Sequence, residues 1–148
     1  KGVKICFLVS TILFISYFTF IPHPSLGIGT GLGGINFNIL TGMQLDFSMG
    51  AIINTLGNIF LFVPFGVALT LLCKGKNKRM KVVLNGTYLS VMIEIIQFTM
   101  PNRWTDINDV LLNTFGTWIG YAIFIMGSAL FVKKAKNQNF EMRTEKEV

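Results

Sequence analysis

The chain has 148 residues, of which 51% are apolar and 14% charged. Ordinary soluble domains carry roughly 25% charged residues, so the composition argues against a soluble domain and for a membrane protein. The net charge of +6 does not call for nucleic acid. The basic residues stand beside apolar runs, where they act as topology signals and meet anionic lipid, and no nucleic-acid partner is expected.

In chain order, the first apolar run is Val3 to Ile21. Lys1 and Lys4 flank it as they would a signal peptide. However, the core is long and Pro22-His23-Pro24 follows in place of a small-residue cleavage site, so the run reads as an uncleaved span. Residues 22–49 form a Gly-rich outer loop. Its Gly27 to Gly34 stretch lacks the Lys-Ser/Thr of a phosphate loop and no strand precedes it, so a flexible or partly re-entrant loop is expected. Gln44 to Met49 is read as an interfacial segment. The second span is expected at 50–73, kinked at Pro64, the third at 82–100 and the fourth at 110–132, each near the roughly 20 residues a bilayer requires. Residues 1–132 then form one transmembrane domain, and 133–148 a charged, frayed cytoplasmic tail.

Orientation follows from the cations. Lys1 and Lys4 precede the first span. Lys74, Lys76, Lys78, Arg79 and Lys81 link the second to the third. Lys133, Lys134, Lys136, Arg143 and Lys146 follow the fourth. Only Arg103 lies on the other side. The positive-inside rule therefore places both termini and the 74–81 link in the cytoplasm. The expected fold is an all-α, polytopic, N-in/C-in bundle of four transmembrane helices in the cytoplasmic membrane of a bacterial cell. Cys6 and Cys73 fall near the reducing side, where a structural disulfide is not expected.

Polar groups in hydrocarbon are costly and ask for a partner or a function. Thr87, Ser90, Glu94 and Gln97 recur at helical spacing on the third span and share one face. Glu94 lies about 9 Å below the outer end and Asn58, on the same face as Asn54, about 12 Å deep, at 1.5 Å per residue. Asn113 lies about one turn into the fourth span. The loop from Pro101 to Asp109 adds Arg103, Asp106 and Asp109. Asn58, Glu94, Gln97, Arg103, Asp106, Asp109 and Asn113 are thus expected around one outward polar pocket suited to a polar head group, a cation or a sugar-peptide fragment. Structural roles compete with this. Thr105 is a candidate helix cap, Asp106 and Asp109 suit a positive helix end, Arg103 and Asp106 form a possible pair, and Asn58 and Asn113 suit interhelical hydrogen bonds. Gly116, Gly120 and Gly127 read as close-packing positions.

The series Asn58-Ile-Phe-Leu61-Phe62-Val-Pro64-Phe65-Gly66, Glu94-Ile-Ile-Gln97, Arg103-Trp-Thr-Asp106-Ile-Asn-Asp109 and Asn113-Thr-Phe-Gly116 with Gly120 resembles the VanZ-like family of small bacterial membrane proteins. The resemblance runs from about Asn54 to Gly120. It departs from the family at Ile35-Asn36-Phe37-Asn38-Ile39, which lacks the Pro of the family's Asn-Leu-Ile-Pro-Phe-like segment and leaves open whether that loop touches a ligand. The resemblance implies a link to resistance against the glycopeptide teicoplanin.

Two classes of function stay open. One is a non-enzymatic membrane protein that modulates glycopeptides or cell-wall precursors at the outer surface, with the bilayer and such a ligand as partners. The other is a membrane enzyme on a lipid-linked or envelope substrate, with Glu94, Asp106 and Asp109 as acid and base candidates. A metal-dependent version would use those carboxylates as hard oxygen ligands, but two thiols and one His make no zinc set, and no metal or cofactor is expected. A transporter is a third reading. It would require an oligomer, since four spans are few.

Overall fold

The computed structural model describes residues 1–21, 34–36, 49–100 and 104–144. They form helices α1 (Gly2–Phe20), α2 (Met49–Leu72), α3 (Lys78–Phe98) and α4 (Ile107–Thr144), with short strands β1 (Gly34–Asn36) and β2 (Trp104–Asp106).

The local sequence explains most boundaries. α1 has no Pro or Gly after Gly2. It stops at Ile21, whose backbone is extended, as expected for a residue that precedes proline. α2 passes through Pro64 without ending, which neighbouring helices make tolerable in a membrane protein. The chain then reverses within 73–77, where Gly75 and Asn77 take left-handed φ values of 85° and 61°. Gly and Asn are the residues that adopt this conformation most cheaply. The Lys4 ammonium donates to the Leu71 carbonyl at 3.3 Å, placing a cation at the negative end of α2.

Three helical stretches, Gly2–Phe20, Met49–Leu72 and Ile107–Gln138, are long and apolar enough to cross a membrane. α3 is long enough, but Lys78, Arg79, Lys81, Glu94 and Gln97 make it more polar than α1 and α2. Large apolar side chains cover the outside of the bundle, with Phe60 67% and Phe131 77% exposed, the reverse of a water-soluble surface and the arrangement that lipid requires.

The buried positions form stripes. Thr11, Ile15 and Thr19 on α1 repeat every four residues, and Val82, Gly86, Ser90, Ile93, Glu94 and Gln97 line one side of α3. The apolar core comprises Ile15, Leu61, Phe62, Phe65, Leu69, Val82 and Ile93. Thr11 and Thr19 satisfy their own hydroxyls by donating to Leu8 and Ile15 carbonyls at 2.7 and 2.8 Å.

The most extensive interface joins α2 to α4, two helices that run in the same direction. Lipid is as apolar as the side chains, so association rests on close packing rather than on the hydrophobic effect. A Cβ at Gly116 would overlap the Ile59 carbonyl, one at Gly120 the Val63 carbonyl, and one at Gly66 the Thr117 carbonyl. Gly86 of α3 leaves the space that the Thr117 side chain occupies. Gly127 meets nothing, so of the three α4 glycines expected to pack, only Gly116 and Gly120 do.

Three features of the helices and loops go beyond the spans read in the sequence. The fourth helix does not stop at 132. It continues to Thr144, because Lys, Ala, Gln and Glu after Val132 are good helix formers. The outer loop contributes a strand. Residues 34–36 form a strand that pairs in parallel with β2, with Gly34 beside Trp104, Ile35 beside Thr105 and Asn36 beside Asp106, so the otherwise helical fold carries a small ladder that satisfies loop backbone groups. The third helix spans 78–98 rather than 82–100, taking in the basic residues at its start. The rest of the 22–49 reading, including the interfacial segment at 44–48, lies outside the described residues.

Candidate functional site

The polar residues converge where the C-terminal end of α3 meets the N-terminal end of α4 and the first half of α2. β2 delivers the chain into α4, and Asp106 sits at the junction. Its backbone N–H donates to Glu94 Oε2 at 3.0 Å. Its side-chain Oδ1 accepts the Asn108 backbone N–H at 2.9 Å and the Asn108 amide at 2.7 Å. Asp106 thus caps α4, the task the sequence assigned to Thr105. The Thr105 hydroxyl is directed instead toward the Glu94 carbonyl at 3.5 Å, because the strand holds it against α3.

One turn into α4, Asp109 Oδ1 accepts the Asn58 amide at 2.7 Å and, more loosely, the Asn54 amide at 3.4 Å. These bonds tie α2 to α4. Glu94, bonded to the Asp106 backbone, and Asp109, bonded to Asn58, gather carboxyl groups at this end of the bundle. Glu94 is 6% exposed.

A further turn inward, the Asn113 amide nitrogen donates to Ser90 Oγ at 2.8 Å, joining α4 to α3. Asn113 is 2% exposed and its Oδ1 has no hydrogen-bond partner. Below it, the Thr87 and Thr114 hydroxyls bond at 3.0 Å, and Thr117 donates to the Asn113 carbonyl at 3.0 Å. A polar ladder therefore runs down the α3–α4 seam.

Of the seven residues expected around one site, Asn58 bonds Asp109 and Glu94 bonds the Asp106 backbone, whereas Asn113 bonds Ser90 along the α3–α4 seam. Gln97 is buried on the same face as Glu94, but its amide donates to the Thr19 carbonyl of α1 at 3.1 Å, so it joins two helices. Arg103 lies outside the described residues, and with it the expected contacts of Arg103 with Glu94 and with Asp106. Sequence reasoning missed Asn108 as partner of the cap and β1 as neighbour of Asp106. The Asp106-x-Asn108 spacing carried the first of these. No local signal carried the second. Among the described residues no group of three or more His, Cys, Asp and Glu side chains is placed to hold a metal ion.

Apolar helices with a lipid-facing exterior and buried polar groups at one end of the bundle define an integral membrane protein. The family model described as VanZ/LLP1 matches residues 6–131, and the chain belongs to that family. It is also similar to Protein VanZ of Enterococcus faecium, with 38% identity over 69 residues, 45% of this chain. That match covers 41% of the relative's length. No solved structure matches the chain.

Proposed function

We propose that this chain is a four-span, N-in/C-in protein of the bacterial cytoplasmic membrane. Residues 1–132 form its transmembrane domain, and the charged residues of 133–148 lie in the cytoplasm. The acidic junction opens on the outer face and engages a polar part of a glycopeptide or of a cell-envelope precursor, so that the protein modulates susceptibility to teicoplanin-type antibiotics. Asn58, Glu94, Asp106, Asp109 and Asn113 form the site, with Arg103 supplying its cation and Gln97 holding its floor to α1. The family and the similarity to Protein VanZ support the glycopeptide reading.

The observation that carries the site is the convergence of three helices on the Glu94–Asp106–Asp109 carboxyl groups, with Asn58 bonded to Asp109 at 2.7 Å. Lys78 and Glu94 stand near opposite ends of α3, about 24 Å apart at 1.5 Å per residue. The basic and acidic poles of the bundle are therefore opposite, and the positive-inside rule directs the acidic pole outward.

The test is antibiotic susceptibility in a glycopeptide-sensitive bacterium that expresses the chain. The wild type raises the inhibitory concentration of teicoplanin, and a well-expressed Glu94→Gln variant does not. Equal susceptibility with and without the wild-type chain contradicts the glycopeptide reading.

A second reading is favoured by one observation, that Glu94 bonds the Asp106 backbone at the start of α4, the turn that bears Asp109. Two carboxyl groups so placed suit the acid and base of a membrane enzyme acting on a lipid-linked substrate. Turnover of such a substrate by purified wild type, lost in Asp109→Asn, distinguishes it from binding alone.

A further inference from the structure

The register of the bundle shows that α4 outlasts its neighbours at the cationic end. Antiparallel pairs fix α3 against α4. Asn113 bonds Ser90, Thr114 bonds Thr87, and Thr117 fills the space at Gly86. The same register brings Lys78, the first residue of α3, over the Phe124 ring, 5.4 Å from its centroid. Parallel pairs fix α2, with Gly116 against Ile59 and Gly120 against Val63 and Gly66. Carried on at that offset, Leu72, the last residue of α2, stands level with about Met126. Lys4 bonds the Leu71 carbonyl at 3.3 Å, so α1 begins near that level too. α4 continues to Thr144, about 27 Å further at 1.5 Å per residue.

The first part of this extension is apolar on every side. Gly127 meets no neighbour among the described residues, and Leu130, Phe131 and Val132 are 68%, 77% and 57% exposed. Consecutive helical residues point about 100° apart, so these three face three directions. The groove of a protein partner would cover one face. Lipid covers all of them, as it does the exposed Leu111, Phe115 and Trp118 earlier on the same helix. Cations bracket the segment. Lys74, Lys76 and Arg79 are exposed at the α2–α3 turn on its bundle side, and Lys133, Lys134 and Lys136 are exposed on its far side. No Asp or Glu stands within 74–81 or 133–136.

We propose that anionic phospholipid head groups fill the layer between these two tiers of cations, with Leu130, Phe131 and Val132 seated in the bilayer interface and not in water. Met126 and Lys133 are about 10 Å apart along the helix, and a head-group layer is roughly 5–7 Å thick. Long lysine stems lie along apolar surface and bring their ammonium groups to the phosphates. The proposal rests on the four-span reading above, but not on which end of the bundle faces the cytoplasm.

The experiment uses the full chain in nanodiscs of phosphatidylcholine, alone or mixed with an equal part of phosphatidylglycerol. A bimane probe is attached at Leu130→Cys, Phe131→Cys or, for comparison, Gln138→Cys, with Cys6 and Cys73 replaced by serine. A nitroxide on the lipid head group should quench the probes at 130 and 131. Acrylamide in the buffer should quench the probe at 138 at least fivefold more strongly than that at 131. In native mass spectrometry the wild type should retain phosphatidylglycerol at least fivefold over phosphatidylcholine, since each basic residue near an anionic surface adds roughly that factor. Lys133→Gln, Lys134→Gln and Lys136→Gln combined should lessen this preference at least fivefold. Equal acrylamide quenching at 131 and 138, equal retention of the two lipids, or a preference that the triple variant keeps overturns the proposal. A dimer in which the probe at 131 is shielded from both quenchers also overturns it, since a second copy then covers the segment. Both leaflets of the disc are alike, so these outcomes do not depend on sidedness. An error in the proposed sidedness shows separately, in the labelling of intact cells.

Discussion

At the scale of single residues, the junction makes a graded set of claims. Asn58 holds Asp109 at 2.7 Å and Asn54 at 3.4 Å, so the two asparagines are not equivalent. Asn58→Ala leaves a half-buried carboxyl without its main donor and should cost about 1–3 kcal/mol. Asn54→Ala should cost much less, and thermal unfolding in detergent separates them. A similar contrast applies to the cap. Asp106→Ala should cost about 1 kcal/mol, and Asp106→Asn should keep most of the capping bond. Arg103 and Glu94 are expected to act together on the ligand. In a double-mutant comparison, Glu94→Gln with Arg103→Gln should then be little worse in teicoplanin susceptibility than either alone, since coupled residues are not additive. Fully additive losses would separate the two. The convergence of Asn58, Glu94 and Asp109 was legible in the sequence because depth along a membrane helix is a count of residues from its end. The turn of Gln97 toward α1 was not. Helical periodicity gives the face, but two neighbours share that face at this level. The cap was misread because Thr and Asp are both good caps in adjacent positions, and only the strand pairing decides which one is free to turn back.

At the scale of elements, the bundle depends on how closely α2 and α4 approach. Gly66, Gly116 and Gly120 each face a carbonyl of the opposing helix, and this contact allows Asn58 to reach Asp109. A methyl group at any of them must push the helices apart. Gly116→Ala or Gly120→Ala should destabilise the protein by about 1–3 kcal/mol, the usual cost of overpacking. Gly127→Ala, which meets open space, should stay within about 0.5 kcal/mol of wild type. Unfolding measured in one detergent for all three variants checks this, and a Gly120→Ala protein as stable as Gly127→Ala would contradict the packing described. The four-residue spacing of Gly116 and Gly120 announced the contact in the sequence. The matching glycines on α2 and α3 did not stand out, because a single Gly beside Phe65 or Asn85 has no period. The ladder between β1 and β2 was illegible for a related reason. Its strands are three residues long, too short to display an alternation, and they pair across a sequence separation of about seventy residues.

At the scale of the whole molecule, composition and the clustering of apolar residues gave the membrane class directly, and three helices of the structure have the length and apolarity to cross a bilayer. α3 is polar for a spanning helix, because Ser90, Glu94 and Gln97 are buried on it and its start carries three cations. The fourth helix outruns the expected span since charge marks where the bilayer ends but does not end a helix. The central claim is one of sidedness, that the carboxyl junction lies on the outer face and the cationic turn at 73–77 on the inner. Single cysteines at Thr99, exposed at the α3 end that bears Glu94, and at Lys76, exposed in the cationic turn, test it in a background with Cys6 and Cys73 replaced by serine. A membrane-impermeant maleimide applied to intact cells should label Thr99→Cys, and should label Lys76→Cys only after the membrane is opened. Labelling of Lys76→Cys but not Thr99→Cys in intact cells would contradict the account.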